Sequence, residues 1–217
     1  MTTIYLIRHG QASFGAESYD QLSPNGELQA KLLGRYFERI LKEAPYVVAG
    51  SMQRHQQTAQ LALAECFPEV EIQTDSAWNE FNHQQVFAQY EPRFNHPELM
   101  KQDVAKEVNP RAYLAKIFEG AIERWTGGEY HHEYEESWPH FKQRVEDALQ
   151  NLCTDLAQKQ PRYAVVFTSG GVISVAAGKI LGLTPNKTFA LNWAITNSSI
   201  TTLRLVGSEP QLLSLNE

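Results

Sequence analysis

Short runs of β-branched and aromatic residues recur along this chain, separated by longer stretches in which apolar positions fall every three or four residues. Thr3-Ile4-Tyr5-Leu6-Ile7 has no helical period and predicts a buried strand. Tyr46-Val47-Val48-Ala49, Val70 to Gln73, Tyr163-Ala164-Val165-Val166-Phe167 and Ile200 to Leu205 predict further strands. Leu22-Ser23-Pro24-Asn25-Gly26-Glu27 sets a capping serine before a proline at the first helical position, and a helical pattern follows through Ile40. Other helices are predicted from about Gln53 to Cys66, from Ser137 to about Gln158, and from Thr168-Ser169-Gly170-Gly171 to near Gly182. From about Asn82 to Glu135 the pattern is helical with no strand. The alternation predicts an α/β fold, a three-layer sandwich whose mainly parallel sheet has helices on both faces and a helical insertion at about 82–135.

The chain has 217 residues, enough for one sizeable core and short for two, so a single domain over 1–217 is expected. A net charge of −6 excludes a broad nucleic-acid or acidic-membrane surface, which needs a clustered cationic face. Any anion must be held locally. Cys66 and Cys153 fall in helical segments without metal-like spacing and are expected to be buried. No basic segment leading into an apolar run opens the chain, and no apolar stretch approaches the roughly 20 residues that span a bilayer, so a cytoplasmic protein is expected.

Three predicted strands end in polar turns: Arg8-His9-Gly10, Ser51 to Arg54, and Thr168-Ser169-Gly170-Gly171. In open α/β sheets ligands bind beyond the carboxyl ends of the strands, where helix starts add N–H groups and positive dipole ends. Guanidinium groups grip phosphate oxygens bidentately, which suits Arg8 and Arg54. A neutral imidazole can attack phosphorus and form a hydrolysable phosphoramidate, which suits His9. Gly10 lets backbone approach a phosphate closely, and Glu80, after the third strand, is the candidate acid for the leaving group. A basic nucleophile and a protonated acid make opposed demands, so a bell-shaped pH profile with an acidic limb set by His9 is expected. A cation at a helix start opposes the macrodipole, so Arg54 is expected to have an anionic partner.

Leu6-Ile7-Arg8-His9-Gly10, Leu22-Ser23-Pro24-Asn25-Gly26 with Gln29-Ala30, and Ser51-Met52-Gln53-Arg54 with Gln57-Thr58-Ala59 occur in order. With Glu80, Glu136-Ser137, Phe141, Arg144 and the glycine turn after Phe167, they resemble the histidine phosphatase superfamily, in the branch that includes cofactor-dependent phosphoglycerate mutase. The resemblance, which spans nearly the whole chain except the insertion, implies a phosphohistidine on His9, phosphate held by Arg8 and Arg54, and Glu80 as proton donor. Ser169 and Gly170 are expected to hold phosphate with the arginines, and the insertion is expected to form a helical lid over the active site. Phosphoryl transfer held by arginines does not require a metal, so neither metal nor organic cofactor is expected, and the expected partner is a small phosphorylated substrate. One position departs: the family normally carries a second histidine before the paired glycines, where this chain has Ser169.

Hydrolysis of a small phosphomonoester is the expected function. A mutase-type phosphotransferase and a catalytically weakened phosphate-ester binder are the alternatives. From Arg93 to Glu135 acidic residues outnumber basic ones and no paired arginines appear, which favours hydrolysis over transfer to a bisphosphate. A serine hydrolase is disfavoured, since Phe167 occupies the leading glycine position of a nucleophile elbow and no histidine follows Ser169. Phe94, Tyr113, Phe118, Trp125, Tyr130 and Tyr134 offer an apolar pocket. His131-His132 with Glu133 and Glu136 reads as a solvated turn, and His83, His96 and His140 as structural or exposed, with one of them able to replace the absent imidazole.

Overall fold

The computed structural model describes residues 1–13 and 20–217, and the chain forms two compact units: Met1–Glu80 with Arg144–Glu217, and Phe81–Gln143. In chain order the elements begin with β1 (Thr2–Arg8), α1 (Pro24–Ile40), β2 (Tyr46–Ala49), α2 (Gln53–Leu63) and β3 (Ile72–Thr74). The second unit holds α3 (His83–Tyr90), α4 (Pro97–Lys106) and α5 (Pro110–Gly127). Then come α6 (Trp138–Lys159), β4 (Tyr163–Thr168), α7 (Gly170–Leu181), α8 (Pro185–Ala194), β5 (Ile200–Val206) and β6 (Glu209–Ser214). Among the described residues no helix is long and apolar enough to cross a membrane.

The sheet order is β3-β2-β4-β1-β5-β6. β3, β2, β4 and β1 run parallel, while β5 is antiparallel to β1 and β6 to β5. All six residues of β4 are buried, as an apolar run covered on both faces requires. Strand alternation sends Ile7, Val47, Ala49, Val165 and Phe167 to one face, where they form a core with Leu33 and Phe37 of α1 and Ala59, Ala62 and Leu63 of α2. α7 packs against β1 and β6, and Lys179 pairs with Glu146 of α6 at 3.6 Å.

Two elements lie outside the sequence reading. β6 turns back from β5 through Gly207, whose φ of 63° fits the first central position of a two-residue hairpin. Its Pro210 is tolerated because β6 is an edge strand. The signal was Gly207-Ser208 between two apolar segments. α8 starts at Pro185 after Thr184, a proline at the first helical turn. Cys66 is a correction, since α2 stops at Leu63 and leaves it half-buried in the turn beyond, whereas Cys153 is buried in α6.

At the start of α1, Ser23 Oγ accepts from the Gly26 N–H at 3.1 Å. A Cβ on Gly10 would lie 2.5 Å from the Gly26 carbonyl oxygen, and one on Gly26 would run into the Gln11 carbonyl. The space beside Gly10 is therefore filled by backbone of α1, a packing reason for glycine that the sequence does not reveal. Gly26→Ala must separate two backbones and is expected to destabilise the fold by about 1–3 kcal/mol. A lowered urea midpoint at unchanged slope would report this, and an unchanged midpoint would contradict it.

In the second unit Phe81 stacks on Trp125 with centroids 4.7 Å apart, and Trp138 and Phe141 pack around Trp125 at 5.3 and 5.7 Å. Phe118 stacks on Phe87 at 4.5 Å, with Phe94 beside both. The expected pocket aromatics are thus divided: Trp125 and Tyr134 are buried, Phe94, Tyr113 and Phe118 are half-buried, and Tyr130 is exposed.

Candidate active site

Register brings the three polar turns together. Arg8 pairs with Thr168 across β1 and β4, and Ala49 with Phe167 across β2 and β4, so the carboxyl ends of three parallel strands lie side by side. The His9 N–H donates to the Thr168 carbonyl at 2.9 Å, and the Gly50 N–H to the Phe167 carbonyl at 3.0 Å. The motif glutamines hold the adjoining segments: Gln29 Oε1 accepts from the Gln11 N–H and Gln57 Oε1 from the Leu22 N–H, each at 2.8 Å. Thr58 Oγ1 accepts from the Gly10 N–H at 3.1 Å and donates to the Arg54 carbonyl at 2.7 Å.

His9 is buried, and its two ring nitrogens have different partners. Nδ1 lies 2.7 Å from the Gly10 carbonyl oxygen, which only accepts, so Nδ1 carries the proton. Nε2 is then the lone-pair nitrogen, consistent with the Arg54 Nε–H donating to it at 3.2 Å. Burial, helped by the charges of Arg54 and Arg8 and opposed by the bond to Gly10, pushes the His9 pKa down to about 3. The imidazole is neutral.

Arg54 opens α2 and is itself buried. Its Nη1 meets Asp20 Oδ1 at 2.6 Å, and Asp20 Oδ2 accepts from the Gln53 N–H at 2.9 Å, so one carboxylate holds both the cation and the helix start. The anion expected beside Arg54 is a phosphate, whereas its anionic partner in the structure is the Asp20 carboxylate, which sequence spacing does not single out. Arg8 Nη1 donates to the Ile195 carbonyl, and the Arg8 guanidinium carbon would lie 3.6 Å from a Cβ on Gly170.

Glu80 follows a 3₁₀ turn, Ser76–Trp78, held from α6 by Arg144 Nη1, which donates to Ala77 O at 2.8 Å and, just beyond the turn, to Asn79 O at 2.9 Å. Its Oε2 accepts from the Gly171 N–H at 3.0 Å, and a Cβ on Gly171 would collide with Oε1. The paired glycines make room for a carboxylate at the start of α7, where N–H groups and the dipole favour negative charge. Ser169 occupies the N-cap position of α7 without capping it, because Glu80 does so.

The buried Ser169 hydroxyl instead lies 2.7 Å from Nε2 of His55, a side chain the sequence reading passed over. His55 is fully buried, and its ring centroid is 5.6 Å from that of His9. Burial first, then the charges of His9 and Arg54, holds its pKa well below the usual histidine value. The signal was positional: with Thr58, Ala59 and Ala62 it forms the i, i+3, i+4, i+7 stripe of α2 that faces the core. His83, His96 and His140, considered as the missing imidazole, belong to the second unit.

Solved structures with this fold include a phosphoglycerate mutase from Bacillus anthracis, with a TM-score of 0.69 and 15% identity, covering 100% of this chain and 93% of that one. A phosphoserine phosphatase mutant from Entamoeba histolytica, in complex with phosphoserine, gives 0.68 and 17%, covering 100% and 98%. The α-ribazole phosphatase from Shigella flexneri gives 0.61 and 19%, covering 100% and 96%. At these identities the likeness is one of fold. No curated protein sequence matches this one. Residues 4–217 do match the family model of the histidine phosphatase superfamily, branch 1, and the chain belongs to that superfamily.

Proposed function

We propose that the protein hydrolyses a small phosphomonoester through a phosphohistidine on Nε2 of His9. The observation that carries this reading is the two-sided hold on the imidazole: Gly10 fixes the proton on Nδ1, and burial keeps Nε2 unprotonated beside Arg54. Nε2 attacks phosphorus as the P–O bond to the leaving group breaks, and the alkoxide takes a proton from the Glu80 carboxyl. Water then attacks the phosphoramidate, gives a proton back to Glu80, and returns the electron pair to Nε2 as inorganic phosphate forms. Arg8, Arg54, Ser169 and the Gly170 N–H neutralise and orient the transferring group. Glu80 rests on a helix start that favours its ionised form, and an arriving phosphate dianion works in the opposite direction, toward protonation.

Hydrolysis is favoured over mutase-type transfer by the charges of the second unit. Arg93 pairs with Asp103, Lys101 with Glu98, Lys106 with Asp103, and Arg124 with Glu133, all within that unit. Those cations are engaged by carboxylates rather than gathered for a second phosphate.

Rapid-quench trapping with a panel of phosphomonoesters tests the reading, with a base-stable phosphohistidine as the expected product and turnover that survives chelation of divalent ions. No trapped intermediate with any hydrolysed ester would contradict it. Glu80→Gln is expected to slow alkyl esters on the order of a hundredfold while slowing p-nitrophenyl phosphate much less, because that leaving group needs little protonation. Equal slowing of both would remove Glu80 from the acid role.

A further inference from the structure

Ser169 presents an unusual use of an N-cap serine. In most helices such a hydroxyl accepts from the N–H of the second or third residue. Here the N–H of the second residue, Gly171, is taken by Glu80 Oε2, and Ser169 Oγ makes no capping bond. The hydroxyl is fully buried, one residue after the Thr168 carbonyl that binds the His9 N–H, and it faces Nε2 of His55 at 2.7 Å. His55 Nδ1 is buried without a hydrogen-bond partner among the described residues.

Two tautomers fit the Ser169–His55 contact, with different consequences. With the proton on Nδ1, Nε2 accepts from Ser169, the hydroxyl proton is turned into α2, and a buried N–H is left without an acceptor. With the proton on Nε2, the imidazole donates to Oγ, the unpartnered atom is a lone pair, and the hydroxyl proton is free to point elsewhere. Orphaned buried N–H groups are rarer than under-satisfied acceptors, which favours the second arrangement.

We propose that His55 is a positioning residue that acts through Ser169: its Nε2–H fixes the serine oxygen, so that the hydroxyl donates its own proton to the phosphoryl group transferred to His9. The inference rests on the reading of His9 as phosphoryl acceptor. Burial and the neighbouring cation keep His55 neutral, so the pair supplies a directed hydrogen bond and no positive charge. The imidazole reaches the crevice from α2, one residue after Arg54, and a small hydroxyl completes the distance from the start of α7.

A double-mutant cycle tests this with the whole chain. Ser169→Ala and His55→Leu are each expected to lower kcat and vanadate affinity roughly tenfold with little change in KM, the loss of one hydrogen bond to a charged group. The double variant should lose no more than the worse single one. His55→Gln, whose amide can donate from a similar place, should retain most of kcat. In the unmodified protein, ¹⁵N spectra of labelled histidine should show the proton of His55 on Nε2, a readout that survives if His55→Leu fails to fold. Additive losses, equal losses in the Gln and Leu variants, or a proton on Nδ1 would overturn the pairing. A phosphohistidine trapped from the unmodified protein alongside such a result would confine the failure to the pairing. Its absence would overturn both the pairing and the reading beneath it.

Discussion

Replacing His9 by alanine is expected to lower turnover on the order of ten-thousandfold or more and to abolish the trapped phosphoprotein, since no second step exists once the nucleophile is gone. Substrate binding should survive within about tenfold, because the proposed phosphate ligands Arg8 and Arg54 are on hand and the backbone N–H of residue 9 still reaches the Thr168 carbonyl. The split between kcat and binding is the informative part. A neutral cradle that merely lost its shape would lose both together, whereas a missing nucleophile leaves a site that binds and does not turn over. Undiminished hydrolysis by His9→Ala would end the phosphohistidine reading. His9→Asn makes the comparison stricter, because its side-chain amide can donate to the Gly10 carbonyl as Nδ1–H does but offers no nucleophilic nitrogen.

The strands that build this site were legible because their residues decide the matter locally. Tyr163 to Phe167 is a short β-branched and aromatic run bounded by a turn, which reads as a strand covered on both faces, and its partners on either side share its direction. From that, the meeting of Arg8-His9-Gly10, Arg54 and the Ser169 turn follows from register. β6 was not legible in the same way, since Pro210 argues against a strand until the edge position that tolerates it is known. His55 was missed for a different reason. Its partner Ser169 is 114 residues away, and what frees that serine is a bond from Glu80 to Gly171 across 91 residues. Local pattern assigns a serine before a helix to capping. Only the fold shows that the cap has been supplied by another side chain.

The two buried imidazoles also govern stability against acid. His9 titrates at about 3 in the folded protein against 6.5 for an unperturbed histidine, so between those values the unfolded chain holds a proton that the folded one refuses. Stability is therefore undiminished above pH 6.5 and falls as the pH drops toward 3, the direction expected when a folded-state pKa is depressed. At pH 4 the loss from His9 alone comes to ~3 kcal/mol, and His55 adds to it in the same sense. Urea unfolding of the unmodified protein and His9→Asn, each at pH 7 and pH 4, isolates this contribution from the carboxylates that protonate in the same range. The variant is expected to lose less stability on acidification by about that amount, and equal losses would show that His9 is not held neutral by the fold. The same depression is expected to move the acidic limb of kcat/KM that His9 sets away from 6.5 and toward 3. A fall in kcat/KM centred near pH 6.5 that persists with an ester already ionised throughout the range would place a protonated His9 in the free protein and contradict the buried, neutral nucleophile.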